Sequence, residues 1–338
     1  MLFCYMEKQL SFGDYEFQMK KKKNKKELFL ERMEKIIPFR EWCDLIRPFY
    51  YENGNGRQPT KLETMLRMYL VSNWFNLSDE GTEELVDDSR AVRNFVGKEA
   101  PDATTLCKFR KILEENNISK LIFARQSKTF AERKIYLREG TIVDATIIDV
   151  PKSKKNKDKN YTEGYGHTKK GKQNYTGIKA HIGVCDKTGI AHSAIVTPAN
   201  VHDSESANAC LHGDEKKVGG DSAYIGIEKR VDVREKFQDG TGEVEWLTHS
   251  HKKPPYIACK MKEEVKFQIS EKRSKVKTEE QKQIEKNKSS IRAKVEHIFL
   301  ILKHLFKYRK TKYRKANKNE NHVFMLLALA NLYKISTK

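Results

Sequence analysis

The strand-like stretch TIVDATIID, residues 141–149, carries two aspartates. With the two-residue period of a β-strand, Asp144 falls among apolar neighbours, whereas Asp149 stands at the strand end, close to Pro151. A buried carboxylate must be neutralised, hydrogen-bonded or bound to a cation, because burying it bare costs too much free energy. Asp144 is therefore the candidate functional acid, with a buried, hydrogen-bonded structural aspartate as the alternative. Asp149 is expected to meet solvent.

Two further acids stand at positions where chemistry is common. Asp221 follows two glycines in GGDSAYIG, at the end of a short predicted strand, where α/β sheets often bind ligands. Capping of the next helix is the competing role for this aspartate. On the helical pattern over residues 277–306, Arg292, Glu296 and Lys303 share one narrow stripe, roughly 120° from the apolar stripe. Viewed alone, that stripe is typical of a solvated ion-pair face.

Three carboxylates near one point repel one another unless divalent cations lie between them. Hard oxygen ligands without clustered Cys or His predict Mg²⁺, with Mn²⁺ as a substitute, rather than Zn²⁺. The six cysteines stand singly, with no C-x-x-C pair, which argues against a zinc finger or a disulfide framework. Two oxygen-bound metals suit phosphodiester chemistry, in which one activates a water or a 3′-hydroxyl and the other stabilises the leaving oxygen.

The charge balance indicates the class of partner. Lys plus Arg number 66 against 46 for Asp plus Glu, a net charge of +20. Such a surplus favours nucleic acid, although a lysine-rich solvated surface would also account for it. The apolar segment VFMLLALANLYKI, residues 323–335, is shorter than the roughly 20 residues that span a bilayer, so it predicts a core helix. Single cysteines and the absence of a membrane segment predict a cytoplasmic protein that does not bind membranes.

The elements that must position these acids change character near residue 135. Before it, short helical patterns follow the N-cap candidates Thr60, Ser78, Ser89 and Asp102, which predicts an all-helical N-terminal domain. After it, strand patterns prevail, with a loop predicted over 151–174 and a short helix near 203–211. The predicted strands cover residues 141–150, 175–184, 190–197, 216–224 and 243–250. The sequence therefore predicts an α/β fold, a five-stranded sheet with flanking helices.

Several motifs in this order carry a family resemblance. VDATIID, KGKQNYTGIKAHIGV, ANVHD, GDSAYIG and RAKVEH resemble the DDE transposases of bacterial insertion sequences, of the IS-five type. Earlier stretches, such as FLERMEKIIPF and LETMLRMYLVSNWFNLSDEGTEE, are similar to that family's helical region. The resemblance implies an RNase H-like catalytic core with a mixed five-stranded sheet over residues 136–338. It also implies a helical domain over residues 1–135 that binds DNA ends and takes part in dimerisation.

The resemblance also implies a site and an activity. Asp144, Asp221 and Glu296 would be the catalytic, metal-binding triad. Related families carry a Tyr-Arg-Glu-Lys signature, which matches Arg292, Glu296 and Lys303, but Ser289 stands at the tyrosine position. The implied protein is a DNA transposase that cuts the ends of its element and transfers them to target DNA, as a homodimer or higher assembly. The alternatives are a catalytically silent, transposase-derived DNA-binding regulator and a simple metal-dependent nuclease.

Position in the sequence adds candidates for DNA contacts. Arg292 and Lys303 are expected to hold phosphates. Lys179 and His181 share the polar face of the second predicted strand, which is nearly as typical of a solvent-facing edge. His202 in ANVHD could approach the site, while Asp203 is expected to cap the following helix. The run KYRKTKYRK, residues 307–315, interleaves aromatic rings with cations, which suits a DNA backbone as well as a solvated basic loop. Its candidate DNA contacts are Tyr308, Arg309, Tyr313 and Arg314.

Overall fold

A computed structural model of the protein describes residues 22–50, 58–97, 99–151, 164–237, 266–269, 283 and 292–337. The described chain before residue 135 is helical, as the sequence predicts. Its helices are α1 (Lys25–Ile36), α2 (Phe39–Ile46), α3 (Leu62–Trp74), α4 (Asp79–Asp88), α5 (Arg90–Val96), α6 (Ala103–Glu115) and α7 (Ile118–Glu132). Ser78 and Asp102 fix the starts of α4 and α6, because their side chains accept hydrogen bonds from Gly81 N (2.9 Å) and Thr105 N (2.6 Å).

A mixed sheet follows the helices. Its strands are β1 (Gly140–Asp149), β2 (Gly166–Lys170), β3 (Gln173–Cys185), β4 (Ala191–Pro198), β5 (Lys217–Gly220) and β6 (Lys266–Ile269). Strand β1 lies in the middle, antiparallel to β3 and parallel to β5, and β6 extends the sheet parallel to β5. Strands β2 and β4 share the outer edge of β3, along residues 173–177 and 178–184. This mixed sheet after a helical region confirms the predicted fold class, an RNase H-like α/β core.

Three sequence expectations differ from the structure. The sequence predicted five strands, whereas the described residues form a six-stranded sheet to which β2 and β6 add unpredicted strands. The predicted loop over 151–174 contains β2, which forms a hairpin with β3 around Gly171, a residue with a positive φ of 62°. Strand β2 has no apolar residue, so no alternation marked it in the sequence. The helix predicted near 203–211 is instead a pair of 3-10 helices, Asp203–Ser206 and Asn208–Cys210. The strand predicted over 243–250 lies outside the described residues.

Three further α-helices follow β5 in the described part of the chain. They are α8 (Val231–Lys236), α9 (292–300) and α10 (Ala316–Ser336). Helix α9 continues through a π-helical turn, Ile301–Leu305. Val295 and Ile298 of α9 join Ile142 of β1 in the large hydrophobic core, so α9 covers the sheet face that carries Ile142.

Helix α10 connects the helical region to the sheet. Its residues 321–332 are all buried, as the apolar segment predicts for a core helix. The helix packs on α1, α3 and α7 on one side and on β4 on the other. Asn331 makes this connection polar as well, because it accepts a hydrogen bond from Ala191 N (2.9 Å) and donates one to Gln126 Oε1 (3.3 Å). One hydrophobic core therefore runs from the N-terminal helices into the sheet.

The opposite face of the sheet carries a second, smaller core. Its buried members come from β1, β5 and the short helices that follow β4 and β5: Val143, Ala207, Cys210, Leu211, Val218, Tyr224, Ile227, Val233 and Phe237. The cysteines within the described ranges, Cys43, Cys107, Cys185 and Cys210, are free thiols. No helix in the described part of the chain is long and apolar enough to cross a bilayer.

Candidate active site

The register of the sheet brings two of the predicted acids side by side. Ile142 of β1 is the register partner of Gly219 in the parallel strand β5. Two residues further along each chain stand Asp144 and Asp221, and the backbone is still extended at Asp221. Because side chains alternate between sheet faces, both aspartates lie on the face that α9 covers. We call Asp144 and Asp221 the acid pair.

The protein environment disfavours the charged form of Asp144. Burial, and to a smaller extent the negative charge of Asp221, raise the pKa of Asp144 to about 6, while a hydrogen bond from Ala145 N (2.8 Å) and the charge of Arg292 oppose the rise. Asp144 is thus a largely buried carboxylate whose nearby counter-charge does not fully compensate it. A cation at this point would stabilise the ionised form.

Asp149 has a structural role instead of an exposed one. Its Oδ1 accepts a hydrogen bond from Thr176 N (3.1 Å), and its carbonyl accepts one from Thr311 N (2.8 Å). The residue is half-buried. Asp149 therefore fastens the end of β1 to β3 and to the segment after α9, where the sequence analysis expected contact with solvent.

Asp221 combines the two roles that the sequence left as alternatives. Its Oδ1 accepts a hydrogen bond from Ala223 N (2.9 Å) and caps the 3-10 helix Ser222–Tyr224. Its second carboxylate oxygen forms no hydrogen bond with the described residues. The cap fixes the orientation of the carboxylate and leaves one oxygen available for a ligand.

Helix α9 carries the third predicted acid, Glu296, one turn after Arg292. Glu296 is 60% exposed and forms an ion pair with Arg292 at 3.4 Å. The positive charge of Arg292 also lowers the pKa of Asp144. Arg292 therefore interacts electrostatically with both Glu296 and Asp144. Among the residues that the structure describes, no group of three His, Cys, Asp or Glu side chains stands close enough to hold a metal ion. The structure thus brings Asp144, Asp221 and Arg292 together and leaves Glu296 paired with Arg292.

Lys303 follows in the π-helical turn and also reaches β1. Its Nζ donates a hydrogen bond to the carbonyl of Ile147 (2.8 Å), and burial lowers its pKa. The side chain therefore holds α9 against the strand that carries Asp144. Ser289, at the position of the signature tyrosine, lies outside the described residues.

Lys179 and His181 lie on the side of β3 away from α9, beside Ala145 and Ile147 of β1. Lys179 forms an ion pair with Asp203 at 2.8 Å and is mostly buried. His181 is fully buried, its Nε2 lies 2.8 Å from Thr197 Oγ1, and burial lowers its pKa to about 4. Both side chains are therefore internal groups in this structure, and neither presents a surface to DNA.

The roles that the sequence suggested for His202 and Asp203 are reversed in the structure. His202 caps the helix, and Asp203 is the residue that acts on Asp144. The side chain of His202 caps the 3-10 helix by accepting from Ser204 N (3.3 Å), and it is exposed. Asp203 pairs with Lys179 and adds, after burial and Asp221, to the charges that raise the pKa of Asp144. Asp203 was not predicted from the sequence as a neighbour of Asp144, although its position shortly after the end of β4 was an available signal.

In the basic run 307–315, the aromatic rings are buried or half-buried, whereas most of the cations are exposed. Tyr308 is fully buried, and its hydroxyl group donates to Asn319 Oδ1 at 3.1 Å. Tyr313 is half-buried, with the guanidinium of Arg110 4.7 Å from its ring centre. The structure places both tyrosines in packing roles rather than at a DNA surface. The exposed cations of the run are Lys307, Arg309, Lys310, Arg314 and Lys315.

The donor set of the acid pair fits a hard divalent cation. Within the part of the chain that the structure describes, the donors of the acid pair are carboxylate oxygens and no cluster with thiol or imidazole groups forms, which favours Mg²⁺ or Mn²⁺ over Zn²⁺. The raised pKa of Asp144 indicates that the surrounding protein does not fully balance the negative charge of its ionised form. A cation held by Asp144 and Asp221 would supply that compensation.

Comparison with protein families places these features in one family. The family model described as "Transposase DDE domain" matches residues 135–332, which include the whole sheet and all three predicted acids. The model described as "Transposase domain (DUF772)" matches residues 17–112, in the helical region. No solved structure matches the chain. With more than half of its length matched by a single family model, and with Asp144 and Asp221 adjacent on an RNase H-like sheet, the chain belongs to the DDE transposases.

Proposed function

We propose that the protein is a metal-dependent DNA transposase that cuts at the ends of its insertion sequence and transfers the 3′ ends to target DNA. The observation that carries this proposal is the acid pair, because two adjacent carboxylates on neighbouring strands are under-compensated without a cation. The matched families support transposition and therefore DNA as the partner. The net charge of +20 supports binding to the phosphate backbone.

In this proposal, Asp144, Asp221 and Glu296 hold Mg²⁺, for which Mn²⁺ substitutes. Bound metal lowers the pKa of an attacking water or 3′-hydroxyl and stabilises the leaving oxygen. The cap on Asp221 holds its carboxylate in one orientation, so that its second oxygen is aligned before the metal arrives. Glu296 is exposed and paired with Arg292, so it would have to leave this ion pair to join the acid pair.

The released Arg292 is then available to a phosphate of the bound strand, since a guanidinium binds phosphate oxygens in a bidentate manner. Arg309 and Arg314, exposed on the basic run, would contact the DNA backbone further from the acid pair. His202 is exposed at the start of its 3-10 helix and remains a candidate contact. Lys303 would keep β1 and α9 together through Ile147. We place this activity in the cytoplasm and in a homodimer or larger assembly on DNA.

A second candidate is a catalytically silent DNA-binding regulator derived from a transposase. The observation that favours it is the ion pair between Arg292 and Glu296, which keeps Glu296 away from the acid pair. A silent protein would bind DNA and leave it uncut under all metal conditions.

The experiment that separates these candidates uses the full-length protein. It is incubated with a linear fragment that carries the gene and its flanking DNA, together with a supercoiled target plasmid, in Mg²⁺, Mn²⁺ or EDTA. A transposase yields metal-dependent cuts at the element ends and products joined to the plasmid. Cuts without joined products would indicate a nuclease, and bound but uncut DNA in Mg²⁺ and Mn²⁺ would overturn the proposal.

A further inference from the structure

A small pocket opens on the sheet face that carries the acid pair. Its volume is about 200 Å³, and its floor is formed by Ile142 of β1, Lys217 and Gly219 of β5 and Gln268 of β6. Gly219 is the register partner of both Ile142 and Gln268, so these three residues form one row across the sheet. The floor of the pocket is therefore built by three adjacent strands.

Three lysines give this pocket its charge. Besides Lys217, they are Lys187, in the turn after β3, and Lys294 of α9. The ammonium of Lys294 donates a hydrogen bond to the carbonyl of Asp186, which fixes it at the pocket and leaves two N–H donors for a ligand. Lys187 and Lys217 are exposed, and their side chains form no hydrogen bond or ion pair with the described residues. We call this cavity the lysine pocket.

One carboxylate, that of Asp186, also lines the lysine pocket. It packs over the backbone of Gly140, since a Cβ at Gly140 would lie 2.5 Å from its Cγ. Its Oδ1 is buried and has no hydrogen-bond partner among the described residues. Three ammonium groups against one carboxylate leave an excess of two positive charges on a concave surface, which attracts an anion.

The size of the lysine pocket indicates that the anion is a single small group. A volume of about 200 Å³ lies below the range of roughly 300–1,000 Å³ in which whole small-molecule ligands bind. Gly219 keeps the floor open, because a Cβ there would meet only Ile142, at 3.8 Å. Ammonium groups bind phosphate as point charges, and the amide of Gln268 can donate to phosphate oxygens. One phosphate group therefore fits both the charge and the space.

The lysine pocket and the acid pair lie along the same strands. Gly219 stands two residues before Asp221, and Ile142 stands two residues before Asp144, on the same sheet face. Two residues of extended chain span about 7 Å. Successive nucleotides of one DNA strand advance by about 3.4 Å along the duplex axis, so this distance corresponds to about two nucleotides. A strand whose phosphodiester lies at the acid pair has another phosphate within reach of the pocket.

We infer that the lysine pocket binds one backbone phosphate of the DNA strand that the acid pair cuts, about two nucleotides from the cleaved bond. This inference rests on the proposed function, because the phosphate belongs to the same strand. Lys187, Lys217 and Lys294 are positioning residues, which hold the strand in register with the acid pair and do not touch the reacting atoms. The negative charge of Asp186 opposes the phosphate and limits its affinity.

The test removes the charge of one DNA phosphate at a time. Duplexes that carry the element end are made with a single uncharged methylphosphonate linkage, and their binding to the full-length protein is measured by fluorescence anisotropy in EDTA. One linkage within about three nucleotides of the element end should weaken wild-type binding by about three- to tenfold. Lys217→Gln should weaken binding to unmodified DNA by a similar factor and be insensitive to that linkage, because both changes remove the same contact.

Lys216→Gln is the matched control, since Lys216 is an exposed lysine next to Lys217 and does not line the lysine pocket. This control should keep the wild-type sensitivity to the linkage. Asp186→Asn should act in the opposite direction and tighten binding by about twofold or more, because it removes the negative charge beside the phosphate. Gly219→Val keeps every charge but fills the floor, so it should lose sensitivity as Lys217→Gln does.

Equal sensitivity of Lys217→Gln and Lys216→Gln, or binding that no single linkage weakens, would overturn the inference. Looser binding by Asp186→Asn would overturn it as well, because a structural role would give that direction. Cleavage in Mg²⁺ reports on the proposed function separately. Metal-dependent cleavage without a linkage effect removes the phosphate site alone, whereas a linkage effect without cleavage supports the phosphate site and contradicts the proposed activity.

Discussion

At the scale of single residues, the central feature is Asp144, a carboxylate whose negative charge is not fully balanced by the surrounding protein. The type of Asp144 and its β-branched neighbours were enough to predict that it needs a partner, because burial of a charge is costly anywhere. The partners themselves were only partly predictable. Asp221 followed from strand position, whereas Asp203 depends on how two short helices meet, which a local pattern does not encode.

The variant Asp144→Asn should stabilise the metal-free protein at pH 7.5. The folded-state pKa is raised from 3.8 to about 6, so between about pH 4 and 6 the folded state holds a proton that the unfolded state releases. Above pH 6 the ionised acid therefore lowers the stability of the fold, and the amide removes that cost, on the order of 1–3 kcal/mol.

Urea denaturation in EDTA measures this gain, which should shrink as the pH approaches 4. Asp214→Asn serves as a control, because this exposed acid has only surface ionic contacts among the described residues, with Arg138 at 2.7 Å and His212 at 4.0 Å, and should change stability by less than about 0.5 kcal/mol. Equal stability of Asp144→Asn and the wild-type protein at pH 7.5 would contradict the account of Asp144.

At the scale of elements, the sequence predicted strands that have apolar faces and missed the one that has none. Strand β2 has no apolar residue and pairs with β3 through the hairpin around Gly171, so no apolar face marked it in the sequence. The basic run shows the same limit in another form. The alternation of aromatic and basic residues suggested contact with DNA. The tyrosines instead point inward, because the hydroxyl group of Tyr308 donates a hydrogen bond to Asn319 and the ring of Tyr313 packs against the guanidinium of Arg110.

The junction of β1 and β3 should not tolerate a side chain at Gly177. A Cβ there would lie 2.1 Å from the carbonyl oxygen of Ile148, so Gly177→Ala forces the two strands apart. We expect a loss of about 1–3 kcal/mol in the free energy of unfolding, together with loss of Mn²⁺ binding, because β1 carries Asp144.

Gly219→Ala is the matched control on the same sheet. Its Cβ would lie 3.8 Å from Ile142, an ordinary contact, so the free energy of unfolding should change by less than about 1 kcal/mol. Chemical denaturation of both variants decides the matter. A Gly177→Ala protein as stable as Gly219→Ala would show that β1 and β3 are not paired in this register.

In the basic run 307–315, we expect the tyrosine rings to contribute to stability and the exposed cations to contribute to DNA affinity. Tyr308→Phe loses the hydrogen bond to Asn319 and should cost about 1 kcal/mol of stability without changing affinity for DNA. Arg314→Gln should leave stability unchanged and weaken binding to any duplex, with the salt dependence of log K reduced by about one. Fluorescence anisotropy over a salt series measures both variants. Weaker DNA binding by Tyr308→Phe would contradict the inward placement of this ring.

At the scale of the whole molecule, α10 joins the helical region and the sheet in one core. The change of pattern near residue 135 was readable from the sequence, because helical and strand periodicities differ. The shared core could not be predicted from the sequence, since Asn331 contacts both Gln126 and Ala191 only in the folded chain. The helical region is therefore fixed directly against the sheet that carries the acid pair.

Stability of the whole fold should fall on mild acidification. His181, His192 and His322 are buried, and burial lowers their pKa values, to about 4 for His181 and about 3 for His192. Below pH 6.5 the unfolded chain takes up protons at these residues and the folded chain does not, so the stability present above pH 6.5 is lost as the pH falls towards 4. Asp144 acts in the opposite direction, but as one group against three.

Urea midpoints at pH 7.5 and 5.0 measure this dependence, with EDTA present to exclude metal effects. His192→Gln should flatten it, because this variant removes one of the groups that protonates only on unfolding. A midpoint that stays constant or rises at pH 5.0 would show that these histidines are accessible to protons in the folded state.

The central claim is that Asp144, Asp221 and Glu296 jointly hold the cations that cut DNA. The most direct measurement is the rate of end cleavage in Mg²⁺ for Asp144→Asn, Asp221→Asn and Glu296→Gln, beside their affinities for the same fragment. Loss of metal contacts worth several kcal/mol predicts rates reduced by about a thousandfold or more, with DNA affinity close to that of the wild-type protein. Cleavage at the wild-type rate by any one of the three variants would contradict the account.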